Sequence, residues 1–440
     1  MYTSYIGKKF LKLYNQKNES NLAARQFFDE VLFPIFFDDE KHLMHVHGST
    51  FFQKVDKKGI VNGKRESLIR VDRLHSDIAN KKFSGSTFVG YAAEKIDRVT
   101  SGQVSSLNYK IDSEEVYSSW IGEGLSIGVT GGLNLISHEE ILWKLFLGWT
   151  HYRNFLKQTP GLKSRQIETW NGHWLCHSLS DYFISDEPLE GFIFPTSQKD
   201  EEGDLAIPTI GWSKVIFTLA KKFSNQTLTT YVYSLSKTNT TIGFINFYLP
   251  EIHHLYELRD RLFLEKSQFI LSDKQIQQLS TYYNFKEACK LGTIGLKALE
   301  PDKLREFMPP PIGTGKDYKF TDETSYLQFQ IYKIWIIAML NKTELLDLAN
   351  KIANALWNYE QNNKEGGRGK STHSQLADEV RNAPYLVKFL DRLDVFMNKH
   401  EEGNLPINRE DILQIINVPP DRFPLFQTLI KLEYTFLSKQ

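Results

Sequence analysis

Ser119-Trp-Ile-Gly-Glu-Gly-Leu-Ser-Ile-Gly-Val-Thr-Gly-Gly-Leu-Asn-Leu-Ile136 and, a little further on, Phe146-Leu-Gly-Trp-Thr-His-Tyr-Arg-Asn-Phe-Leu156 carry the pattern from which the rest of the chain is read. Ser126 to Val129 and Leu133 to Ile136 are short apolar runs separated by Thr130-Gly131-Gly132, and adjacent glycines tolerate the positive φ of tight turns. A β-hairpin is expected. Ser137 followed by Glu140 has the spacing of a capping box, and Ile141, Leu145, Trp149, Tyr152 and Leu156 then recur on one helical face. That predicts a buried amphipathic helix over 138–157. Gly122, Gly124 and Gly128 do not make a dinucleotide fingerprint, because a strand and hairpin follow them where a pyrophosphate would need a helix N-terminus.

With 440 residues, 41% hydrophobic and 24% charged, the chain has the composition of an ordinary globular protein of two or three domains. The N-terminus, Met1-Tyr-Thr-Ser-Tyr-Ile-Gly-Lys-Lys9, lacks a charged-then-apolar signal pattern. The longest apolar run, Ile334 to Leu340, is far shorter than the roughly 20 residues of a membrane span. A cytosolic protein with no membrane partner is expected. Cys176 and Cys289 stand too far apart in sequence for a CxxC zinc knuckle and are expected to be free, reduced and buried.

Formal charge is zero, 53 basic against 53 acidic residues, which argues against a surface that tracks phosphates everywhere. The distribution is uneven. Lys54, Lys57, Lys58, Lys64, Arg65, Arg70, Arg73, Lys81 and Lys82 set nine cations against four acids over 54–82, whereas 184–204 carries seven acids and only Lys199. One region suits a polyanion and the other repels it.

Along the chain, Phe27, Phe28, Val31 and Leu32 belong to a helical start that Pro34 is expected to interrupt, with 35–37 and 45–52 extended. Gly59 and Asn62-Gly63 make 54–65 an exposed basic loop or hairpin, and 186–204 reads as a surface insertion. The runs 228–236 and 240–248 form a second expected hairpin. Pro309-Pro-Pro311 and Gly313-Thr-Gly315 mark 301–320 as a linker. Beyond it, Leu345, Leu348, Ile352, Leu356 and Tyr359 repeat at helical spacing after Thr343. Pro384 opens a helix with Val387, Leu390 and Leu393, Asn408 caps another, and a last one runs from about Arg422. The expected fold class is α+β: a mixed domain over 1–300, the linker, and a helical bundle over 321–440. The loop 362–371, with Arg368 and Lys370, is net positive.

Catalytic signatures are weak. Gly313-Thr-Gly315-Lys316 has Pro310 and Asp317 where a P-loop needs Gly and Ser or Thr. His173, Cys176 and His177 share a short stretch in which Asn171-Gly172 is a candidate helix break and no second ligand pair is evident, and His45 and His47 share a strand face through period two alone. Asp38-Asp39 and Glu139-Glu140 are explained by solvation or helix capping rather than by divalent metal. No catalytic residue, metal or cofactor is expected.

The hydrophobic and glycine pattern at Phe88-Val-Gly-Tyr91, Ser101-Gly-Gln103, Trp120 to Ile136 and Trp149 to Arg153, with a weaker likeness at Leu376 to Asn382, resembles the large subunit of type I CRISPR surveillance complexes (Cascade). The order of a mixed N-terminal domain and a C-terminal bundle is similar over most of the chain, although the CxxC pairs of some branches are missing. The resemblance implies a non-enzymatic subunit that reads a protospacer-adjacent motif on duplex DNA and supports R-loop formation. Its implied partners are guide RNA, target double-stranded DNA, the backbone, foot and small subunits, and a recruited helicase-nuclease or transposition factor. The expected nucleic-acid contacts are the nine cations of 54–82 with Arg368 and Lys370, and Asn62, Ser101, Gly102 and Gln103 as groove-reaching tips. Met308 is a candidate internal start for a separate small subunit. A DNA-cleaving or DNA-modifying defence enzyme, and a scaffold without nucleic-acid contact, are the competing readings.

Overall fold

The computed structural model describes residues 1–44, 46, 48–55, 65–90, 111–195, 198–199, 204–233, 240–263, 271–363, 372–400 and 406–439. Their backbone divides into two compact units, 1–250 with 284–294, and 251–283 with 295–440. The fold class is α+β.

In the first unit the helix Tyr2–Lys17 lies against the helix Ser113–Gly124. Glycine decides how closely they meet. A Cβ on Gly7 would stand 1.8 Å from the Ser118 carbonyl oxygen, and one on Gly122 would stand 1.9 Å from that of Thr3. The two backbones therefore touch, and small hydroxyls tie the seam: Thr3 donates to the Val89 carbonyl at 2.8 Å and Ser4 to that of Glu115 at 2.9 Å.

The hairpin forms as expected from strands β1 (Ile127–Val129) and β2 (Gly132–Ile136), with Gly131 at φ 104° in the turn. Two short strands follow as a separate pair, β3 (Gln198–Lys199) with β4 (Leu205–Ala206). Strands β5 (Thr227–Tyr233) and β6 (Gly243–Tyr248) realise the second expected hairpin pairing, and β7 (Thr293–Ile294) completes the sheet in the order β1-β2-β5-β6-β7. The β6–β7 pairing is parallel, and the β1–β2, β2–β5 and β5–β6 pairings are antiparallel. Alternation is clean on β5 and β6, where Leu228, Thr230, Val232, Ile245 and Phe247 are buried while Thr229, Phe244 and Tyr248 face outward.

The aromatic helix Glu139–Gln158 buries Ile141, Leu145, Trp149, Tyr152 and Leu156, the stripe that the spacing predicts. Its cap differs from expectation. His138 is the N-cap residue and no side chain caps the helix, because the Ser137 hydroxyl instead accepts from Lys9 Nζ at 3.1 Å. Four buried tryptophans organise this core, and each indole N–H finds a backbone carbonyl: Trp120 to Thr87, Trp149 to Gly124, Trp170 to Gly148 and Trp174 to Lys144, at 2.7–3.0 Å. Pro34 does not interrupt the N-terminal helical path. It sits in the first turn of the helix Phe33–Phe36, after a wide π-turn over Phe28–Leu32, so 35–36 are helical rather than extended. The segment Thr50–Phe52 is likewise a 3₁₀ turn.

The second unit has the helices Glu323–Leu340, Glu344–Asn362, Thr372–Arg381, Leu386–Met397, Arg409–Ile416 and Phe423–Leu437. The predicted stripe Leu345, Leu348, Ile352, Leu356 and Tyr359 is buried, whereas Leu386–Met397 buries Phe389, Leu393, Phe396 and Met397 and leaves Val387 exposed. Asn408 caps its helix by accepting from the Asp411 N–H at 2.9 Å, as the sequence suggests. The expected linker is folded into this unit. Leu304 and Met308 are buried, Tyr332 donates to the Asp302 carbonyl at 2.8 Å, and Arg305 pairs with Glu300 at 2.6 Å. The chain crosses between units at 250/251, 283/284 and 294/295, not over 301–320.

Candidate nucleic-acid interface

The basic residues after position 64 lie on and around one helix, Glu66–Ala79, which the hairpin signals of 54–65 did not announce. Val71, Leu74 and Ile78 bury one face of it, and the charged side chains follow the other. Arg65, just before its first turn, is exposed and lies 3.2 Å from Asp38. Arg70 donates to Glu66 Oε1 at 2.6 Å and approaches His42 Nε2 at 3.4 Å. Arg73 reaches Gln53 at 3.5 Å, and Lys82 lies 3.6 Å from Asp77. Lys81 holds φ 55° where the helix ends, and Lys54 is exposed. Several of these cations thus have acidic neighbours, and such exposed pairs are weak enough to be exchanged for phosphate.

His42 is the hub of this region. It is buried among the rings of Phe37, Phe51 and Phe52, and burial, then the guanidinium groups of Arg70 and Arg165, pushes its pKa down to about 4. The imidazole is therefore neutral at physiological pH. Arg165 is a residue that sequence reading missed. Its backbone sits at φ 65°, its N–H donates to the His42 carbonyl at 2.9 Å, and its guanidinium lies 4.2 Å over the Phe52 ring while the residue stays exposed. The basic Gly161-Leu-Lys-Ser-Arg165 turn was the available signal. Arg153, by contrast, is consumed by the fold: it donates to the carbonyls of Ile35 at 2.6 Å and Lys41 at 2.8 Å.

Lys57, Lys58, Asn62, Lys64, Ser101, Gly102, Gln103, Arg368 and Lys370, together with His45 and His47, lie outside the described residues. The remaining candidates have structural partners. His173 and His177 share the helix Ile167–Ser178, which continues through Asn171-Gly172, and they bond the carbonyls of Pro208 at 2.7 Å and Pro188 at 3.0 Å. Cys176 and Cys289 are free, and burial raises both thiols. Asp39 neighbours Arg153 and Lys157, and Glu140 neighbours Lys222. Among the described residues no group of three or more His, Cys, Asp or Glu side chains is placed to hold a metal ion, and no helix is long and apolar enough to cross a membrane.

One carboxyl stands apart. Glu123 is buried, accepts from the Tyr233 hydroxyl at 2.8 Å, and is pushed up to about 7 by its burial. Glu168 is raised in the same direction, first by desolvation and then by the Glu123 carboxyl; it retains some exposure, so Glu123 is the better reporter. No family model, curated protein or solved structure matches the chain.

Proposed function

We propose that the chain is the non-catalytic large subunit of a CRISPR RNA-guided DNA-targeting complex, reading a protospacer-adjacent motif on duplex DNA and supporting R-loop formation. The observation that carries this reading is the approach of Arg70 and Arg165, from two separate segments, to one neutral histidine, with Arg65 exposed at the start of the Arg70 helix and next in sequence to the basic run 54–64. A motif reader needs many phosphate contacts and few base contacts, and a local cationic surface on a chain of zero net charge supplies the first without holding every duplex equally. Base reading falls to Asn62, Ser101, Gly102 and Gln103, and phosphate contact to Lys54, Lys57, Lys58, Lys64, Arg73, Lys81 and Lys82 with the arginines; Arg368 and Lys370 are further nucleic-acid contacts. Guide RNA, backbone, foot and small subunits are the partners in the cytoplasm, and a recruited helicase-nuclease or transposition factor acts downstream.

The test is selection. The chain is co-expressed with Cascade backbone subunits and a guide RNA, and the purified assembly is offered duplexes that match the guide and carry a randomised flank. Enrichment of a short flank sequence is expected. Failure of the chain to enter a guide-RNA particle, or uniform recovery of all flanks, contradicts the proposal.

A further inference from the structure

The first helix and the outward face of the sheet border an open cavity of about 640 Å³ within the first unit. Tyr2 fills its inner wall, 4.9 Å from the Tyr231 ring and edge-on to Phe244 at 5.0 Å. Tyr5, stacked on Tyr2 at 5.8 Å, and Phe244 line the mouth and are 54% and 64% exposed, so each keeps ring surface open to solvent, with the two planes close to perpendicular. Open aromatic faces grouped on a sheet mark an interaction site more often than an isolated exposed ring does. Beside Ile136 and Leu228, the rest of the lining is polar, including Lys9, Ser137, His138, Gln226 and Thr229. One cation and no carboxylate line the cavity, which selects for an anionic ligand.

We propose that this cavity takes an unpaired nucleotide of a single-stranded nucleic acid. Its base stacks on the open face of Tyr5 and meets Phe244 in an edge-to-face contact, its polar edge meets Gln226 and Thr229, and its phosphate approaches Lys9. Each feature of the lining answers one part of a nucleotide: flat faces for the base, neutral donors and acceptors for its edge, an ammonium for the phosphate. A paired base cannot present its face to the rings. The site uses none of the residues assigned to duplex reading, so the two proposals stand or fall separately.

The full chain is titrated with fluorescein-labelled oligo(dT) and oligo(U) ten-mers and with a duplex of equal length. Binding of one or both single strands is expected, the stronger identifying DNA or RNA as the natural source. Tyr5→Ala and Phe244→Ala are each expected to weaken it about tenfold, Phe244→Tyr to retain it, and Lys9→Gln to lower the salt slope by about 0.7. Both aromatic positions are exposed, so the alanine variants are expected to keep the parent's melting temperature. Absence of single-strand binding by the parent, or equal affinity of the parent and both alanine variants, overturns the proposal. Duplex binding left unchanged by alanine at Arg65 and Arg165 overturns only the motif-reading proposal.

Discussion

Glu123 and Gly122, neighbours in one helix, make opposite demands on their surroundings. Glu123 has a folded-state pKa near 7 against an ordinary 4.5, because burial disfavours the charged form more than the Tyr233 hydroxyl favours it. Folding therefore binds a proton. The stabilisation is complete below about pH 4.5 and is lost as pH rises through about 7, a swing on the order of 3 kcal/mol. His42 acts in the other sense, since its depressed value makes stability fall as pH drops below about 6.5. A difference measurement separates them. Urea unfolding of Glu123→Gln against the parent at pH 5 and pH 8 is expected to show the variant gaining relative stability at the higher pH; a pH-independent difference would contradict the assignment. Gly122 has no room for a methyl group, with the Thr3 carbonyl oxygen 1.9 Å from the position it would take. Gly122→Ala is expected to cost about 1–3 kcal/mol or more by forcing two helices apart, read as a lowered urea midpoint. Neither property was legible in the sequence, where Gly122 was one of several glycines and Glu123 one of many acids. Both depend on which backbone passes opposite.

At the scale of elements, local chemistry was read well where it is self-contained. The glycine turn at 130–132, the apolar stripe of 141–156 and the Asn408 cap all appear where the spacing places them. It was misread where a distant residue competes. Ser137 has the sequence of a cap, yet Lys9, from the first helix, engages both its hydroxyl and its carbonyl. Pro34 looks like a breaker, yet a π-turn before it leaves its missing N–H harmless. Asn171-Gly172 looks like a helix end, yet Gly172 lets the helix approach β1 while the buried Asn171 amide donates to the carbonyls of Gly124 at 2.9 Å and Ser126 at 2.8 Å. That side chain pins the strand to the helix. Asn171→Ala removes the donor to the Ser126 carbonyl, while Gly124 keeps the Trp149 indole, and is expected to destabilise the protein by about 1–3 kcal/mol, measured in the same urea assay, whereas Asn408→Ala is expected to cost about 1. Equal small effects would show that the pin is dispensable.

For the whole molecule, composition and periodicity gave α+β and the C-terminal helices, but not how the chain divides. Prolines and glycines suggested a linker over 301–320, because those residues punctuate linkers and tight folded turns alike. Here Gly313 packs where a Cβ would meet the Arg305 carbonyl oxygen at 1.7 Å, and the Trp335 indole donates to the Leu296 carbonyl at 3.0 Å. A chain begun at Met308 strips Trp335 and Tyr332 of these upstream partners. It is expected to melt several degrees below one begun at Gly295, and equal melting by circular dichroism would show that 295–307 adds nothing. Charge shows the same limit: the basic excess of 54–82 is visible in sequence, but the addition of Arg165 to its surface is a property of the fold. The salt dependence of duplex binding tests that surface most directly. In the guide-RNA assembly, changing Arg65 and Arg165 together to Ala is expected to reduce the slope of log affinity against log salt by about two, with motif preference unchanged. An affinity and slope equal to the parent's would contradict the assignment of this surface to DNA.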